Sequence, residues 1–84
     1  GESALREDQA AIELALQQAD IVRRVIHLRT THVGPEELLV AAKIAVDPAA
    51  TAADIARGID QAEAQVRAVV PHARYLFLEA DIDR

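Results

Sequence analysis

Three histidines, one pair of adjacent glutamates and a short threonine run are the residues here that could do chemistry. His27, His32 and His72 are far apart in the chain, with no HxH or HxxxH spacing that would set two imidazoles on one metal ion. Glu36 and Glu37 follow Gly34-Pro35, where carboxylates solvate a turn more readily than they share a proton. Thr30, Thr31 and His32 are consecutive, and on a strand such neighbours point to opposite faces, so they form no hydroxyl–imidazole pair. The single serine, Ser3, stands at the start and cysteine is absent, which leaves almost nothing for nucleophilic catalysis. No glycine-rich phosphate loop is present. The inventory argues against an enzyme.

The 84 residues make one domain whose core is marginal without further support. Below ~80 residues that support is usually a disulfide, a metal or a partner subunit. Without cysteine, only a histidine/carboxylate site or a second subunit remains. A formal charge of −5 repels nucleic acid, and only Tyr75 and Phe77 could stack on bases. No apolar run approaches the ~20 residues of a membrane helix.

The elements that must position these side chains read as α-β-β-α-β. Ala4 to Val22 is helical, with Ser3 as its cap and Ile12, Leu16 and Ala19 at helical spacing. Val25 to Val33 is a strand that ends at the Gly34-Pro35 turn. Glu37 to Val46 is a second strand, with Leu38, Val40, Ala42, Ile44 and Val46 inward and Lys43 on the other face. Thr51 caps a second helix with Asp54 in a capping box. Its apolar stripe is Ile55, Ile59, Ala62, Val66 and Val69, and Gly58 in its interior either permits close approach to the sheet or is simply tolerated there. Pro71 ends that helix, and Ala73 to Ile82 form the third strand.

Two helices on one face of a three-stranded sheet give a two-layer α+β sandwich. The other face is left bare, with Leu39, Ala41, Ala45, Tyr75 and Phe77 on it. A homodimer is the simplest cover, with Arg29 nearby and the two aromatic rings as anchors. Alternation also puts His27 on that face with Arg29 and Lys43. His72, after a helix-ending proline, reads as a surface turn, and Asp81 and Asp83 as a solvated tail.

Five segments resemble the cytosolic C-terminal domain of cation diffusion facilitator transporters, in order and over the whole chain. "GESA" is similar to the end of the family's last membrane helix, which closes in an "LLIGE"-like phrase. "HLRTTHVGP" is similar to its "DLRTRxxGP" strand and turn, and "AVDP" to its acidic second-strand end. "IDQAEAQVRAVVP" resembles its last helix, and "YLFLEADI" stands where the family has a "v.IHxDP" strand. The resemblance implies a metallochaperone-like (ferredoxin-like) homodimer at the cytoplasmic face of the membrane. Its partners would be its own copy and the membrane domain of the same transporter, which exports zinc or a similar divalent ion.

Where metal-binding relatives place histidine or aspartate, this chain has Ile26, Ala42, Ala56, Leu78 and Ala80. The strand positions among these face the helices by alternation, and Ala56 is read as facing the sheet, so a ligand wall gives way to apolar packing. No cofactor is then required. His27 matches an aspartate position of some relatives, which makes weak zinc binding there, assisted by Glu79 or Asp81, the remaining metal reading. A basic first-strand residue that some members set against the membrane domain is Thr31 here, with Glu2 near the acidic side's position. Two other classes stand beside this one. A free-standing dimeric α+β small-molecule sensor fits the size, though not the "GESA" start. A small acylphosphatase-like hydrolase lacks the arginine-bearing anion loop that chemistry needs.

Overall fold

The computed structural model describes residues 2–84, with side chains from Ala4 onward. Gly1 therefore lies outside the described residues, and the readings placed on the Ser3 cap and the Glu2 charge concern side chains outside those described. The elements are α1 (Glu2–Gln17), β1 (Arg24–Gly34), β2 (Glu37–Val46), α2 (Ala52–Val69) and β3 (Ala73–Ile82). β2 is central, antiparallel to β1 and parallel to β3. The parallel pair needs a crossover, and α2 supplies it. None of the described helices is long and apolar enough to cross a membrane.

The core is a strip between the helices and the inner face of β2. Leu38, Val40 and Ile44 are fully buried there, against Ile12 and Leu16 of α1 and Ala62 and Val66 of α2. Burial of each large aliphatic side chain stabilises by about 1.5–3 kcal/mol. α2 starts as its sequence dictates. The Asp54 amide donates to the Thr51 hydroxyl and the Thr51 amide to the Asp54 carboxylate, both at 3.1 Å. The Thr51 backbone amide, then its hydroxyl, then Arg57 hold the Asp54 carboxyl below its ordinary 3.8.

Four expectations need correction. α1 ends at Gln17 rather than Val22, because the next residues tighten into i→i−3 turns. The Ala19 amide donates to Leu16 at 3.1 Å and that of Val22 to Ala19 at 3.0 Å, keeping both side chains buried outside the helix. At the end of α2, Val69 is 54% exposed and Val70 takes the core position, its amide closing on Val66. Gly58 does allow a close approach, but to Ile21 in the α1–β1 connection and not to the sheet: an added Cβ would stand 2.5 Å from the Ile21 Cβ. Asp81 and Asp83 are not merely solvated. Asp83 pairs with Arg24 at 3.2 Å and with Arg23 at 3.9 Å, while Asp81 pairs with Arg84 at 3.2 Å.

Candidate functional site

The bare sheet face is built by register. Its rows run Thr31–Leu39–Tyr75, Arg29–Ala41–Phe77 and His27–Lys43–Glu79 across β1, β2 and β3. Thr30, one residue off in β1, turns the other way and donates to Gln9 of α1 at 3.1 Å, which fixes Arg29 and Thr31 on the uncovered side. Phe77 is 60% and Tyr75 44% exposed, large values for aromatic rings. The Arg74 guanidinium sits 5.9 Å from the Tyr75 ring centroid and also pairs with Glu37 at 3.2 Å. The sheet thus brings together all five residues expected at the dimer contact: Arg29, Leu39, Ala41, Tyr75 and Phe77.

A groove of about 620 Å³ is lined by His27, Arg29, Ala41, Lys43, Phe77 and Glu79 of this face and also by helix-side residues, among them Ala42, Leu78 and, from α2, Ile59 and Glu63. His27 is exposed, with Lys43 its direct cross-strand neighbour and Arg29 two residues along. Two permanent cations so close weaken any divalent ion held by that imidazole. Among the described residues, no three histidine or acidic side chains gather as a metal site.

The five positions read as replaced ligands are split by the structure. Ala42 is core, and Leu78 and Ala80 pack against it from β3. Ile26 and Ala56 do not join them. A β-bulge between Val25 and His27 makes Ile26 the extra residue, so Val25, opposite Ile44, packs inward instead. Ala56 is exposed, because one step of about 100° beyond Ile55 carries it off the buried side of α2.

Two contacts were not anticipated. His72 Nε2 lies 2.6 Å from the Asp8 carboxylate, tying the α2–β3 turn to α1 where a free surface turn was expected. Arg23 and Arg24 reach Asp47 and Asp83 across the strand ends, with Arg23–Asp47 at 3.0 Å. Opposite charges flanking three strand ends were a usable signal for the second. The first had none, since 64 residues separate its members.

An α-β-β-α-β sandwich with one bare sheet face has the metallochaperone-like architecture. The chain matches the family described as the cytoplasmic domain of cation efflux proteins over residues 4–80, and it belongs to that family. Among solved structures it is similar to a doubly substituted MamM-CTD at 29% identity, covering 98% of each chain with a TM-score of 0.89. It is also similar to the copper form of a MamM CTD variant, at 26% identity over 95% of this chain and 99% of that one, TM-score 0.88. The nickel form of another variant is 26% identical over 94% and 99% of the two chains, TM-score 0.87. No curated protein gives a significant match. The protein is thus a cytoplasmic dimerisation domain of a cation efflux transporter.

Proposed function

We propose that this chain is the non-catalytic homodimerisation and regulatory domain of a divalent, zinc-like metal efflux transporter, and that it works without a resident ion. The observation that carries this is the helix-facing wall, where Ala42, Leu78 and Ala80 pack against the core. None of these side chains has a donor atom, and neither do Ile26 and Ala56, so the inner ligand site of metal-binding relatives is lost. Its place is taken by hydrocarbon, whose burial favours folding with no ion to capture and no ligand to deprotonate. A divalent ion that does bind the domain binds weakly on the uncovered face at His27, with water completing the shell that an imidazole cannot fill.

Dimer contact through Leu39, Ala41, Tyr75 and Phe77 joins two copies and, through them, two membrane domains. Light scattering on the isolated domain tests the dimer, with dimer expected in the micromolar range. Monomer alone at high micromolar concentration, unchanged on further concentration, overturns the reading. Thermal melts with and without a chelator test independence from metal. The two curves should coincide, and a chelator-induced loss of many degrees would show a structural ion.

A further inference from the structure

Nine lysine and arginine side chains stand against fourteen carboxylates in this chain, and nearly every base has found a partner. Arg23, Arg24, Arg57, Arg74 and Arg84 stand in ion pairs. Arg67 donates to the backbone oxygens of Ala73 and Arg74 at 3.4 Å, and Arg6 is engaged as well. Among the described residues, only two of the nine, Arg29 and Lys43, make no side-chain hydrogen bond or ion pair. Both lie on the uncovered sheet face beside His27, whose ring has no partner either.

Register sets the three together. Lys43 is directly opposite His27 and Ala41 directly opposite Arg29, so Arg29 and Lys43 are diagonal neighbours on one face. Opposed Cβ atoms stand about 5 Å apart and diagonal ones roughly 7 Å, within the reach of long side chains. Like charges this close destabilise a sheet unless a counter-charge offsets them. Glu79 is the neighbour of Lys43 on its other side, yet it pairs with neither base. It stands two strand spacings, about 9.6 Å, from His27. Glu63 reaches the groove from α2, on the other side of the sheet. The missing counter-charge belongs above β1 and β2, where the groove of about 620 Å³ is floored by the small side chain of Ala41.

We propose that Arg29, Lys43 and His27 form a binding site for a tetrahedral oxyanion of the phosphate type, seated over Ala41. The Arg29 guanidinium offers a fork of parallel N–H donors to two oxygens. The Lys43 ammonium is a mobile point charge for a third. One ring nitrogen of His27 carries a proton in either charge state and donates from the same side. A carboxylate presents two oxygens in one plane, whereas a phosphate group presents three to donors that converge from two strands. The same two permanent cations that weaken a divalent metal here attract such an anion. All three donors belong to one chain, so the site stands apart from the dimer reading, and either can fail alone.

Amide NMR titration of the chain with inorganic phosphate, at constant ionic strength balanced by chloride, tests the site. Saturable shifts should appear at His27, Arg29, Ala41 and Lys43, with a Kd on the order of 1 mM. Arg29→Gln and Lys43→Gln should each weaken binding at least about fivefold. Glu79→Gln removes a repelling carboxylate and should tighten it about twofold to threefold. At about 500 mM salt binding should weaken in every variant. Arg29 and Glu79 are exposed and Lys43 is half-buried, and far-UV circular dichroism verifies that each variant folds. Cosedimentation with phosphatidylglycerol vesicles separates two sources of the group. Vesicle binding lost in Arg29→Gln and Lys43→Gln supports the site and assigns it a lipid headgroup. Phosphate binding without vesicle binding supports it and assigns a free phosphate. No shift up to about 20 mM phosphate, or equal affinity in the wild type, Arg29→Gln and Lys43→Gln, overturns the site. Acetate bound as tightly as phosphate overturns the tetrahedral assignment.

Discussion

Replacing Gly58 by alanine sets two measurable effects against each other. Alanine is favoured over glycine inside a helix by about 1 kcal/mol, and Gly58 lies within α2. The new Cβ, however, would stand 2.5 Å from the Ile21 Cβ and 2.8 Å from each of its Cγ atoms. Ordinary carbon contacts begin near ~3.5 Å. The nearest atom is attached to the Ile21 backbone, so a rotamer change cannot clear it, and either α2 or the α1–β1 connection must move. Overpacking of this kind costs roughly 1–3 kcal/mol, and a contact this short belongs at the upper end. The net expectation for Gly58→Ala is a loss of about 1–2 kcal/mol, which in a domain of this size lowers the melting temperature by roughly 4–16 °C. Circular dichroism melts at matched protein concentration measure it, because a dimer's transition moves with concentration. In an Ile21→Ala background both Cγ contacts disappear and the penalty should fall by at least about 0.5 kcal/mol. A Gly58→Ala protein more stable than the parent by about 1 kcal/mol would show that propensity wins and that the contact relaxes freely.

Leu16→Ala should cost about 2–5 kcal/mol and leave little folded domain, while Leu14→Ala, two residues away and 55% exposed, should cost under about 0.5 kcal/mol; urea titrations compare them. Thr51→Ala should cost about 1 kcal/mol in the same assay by removing one arm of the capping box. Asp54, held below 3.8 chiefly by the Thr51 backbone amide, contributes its stability fully above that value and loses it as pH falls through the lower folded value. Asp54→Asn should therefore be less stable at neutral pH, and its stability should fall less steeply with acid in that window; equal slopes would refute the linkage. Zinc calorimetry on the native domain should show only weak binding, reduced in His27→Ala. Equal heats in both proteins would leave His27 outside any metal site.

The strands were the most legible part of the fold, for a physical reason. β2 alternates without interruption and β3 is bounded by Pro71 and a polar end, so period and punctuation agree on Glu37–Val46 and Ala73–Ile82. Helix ends were less legible. Ala19 and Val22 keep the apolar pattern beyond Gln17 because the core wants them, not because the backbone is still helical there. The bulge at Ile26 was invisible, since alternation carries no mark where one strand gains a residue and the partner does not. For the site, Arg29, Leu39, Ala41, Tyr75 and Phe77 followed from parity alone. The cross-strand relation of His27, Lys43 and Glu79 required the register, which pairs β2 with two strands running in opposite directions.

Ala45 shows where the uncovered face stops. It belongs to the outward set of β2, yet it is fully buried within the single chain. Its register neighbours are Arg24 on β1 and Asp81 on β3, and Arg24 is drawn across the strand end to Asp83. Such exposed pairs contribute only about 0–1 kcal/mol each, so their effect here is placement more than stability. They lay the protomer's own side chains over the Ala45 end of the sheet, whereas Leu39, Ala41, Tyr75 and Phe77 stay open toward the Gly34-Pro35 turn. A partner sheet therefore meets Leu39, Ala41, Tyr75 and Phe77, flanked by Thr31 and Arg29, at one end and, at the other, a rim of charge already satisfied. The His27–Lys43–Glu79 row lies between them, with charges still unpaired. That row, with Arg29 in the row above it, is where a dimer's fit is decided by charge, because toward the turn small and aromatic side chains otherwise dominate and below it the chain has sealed itself.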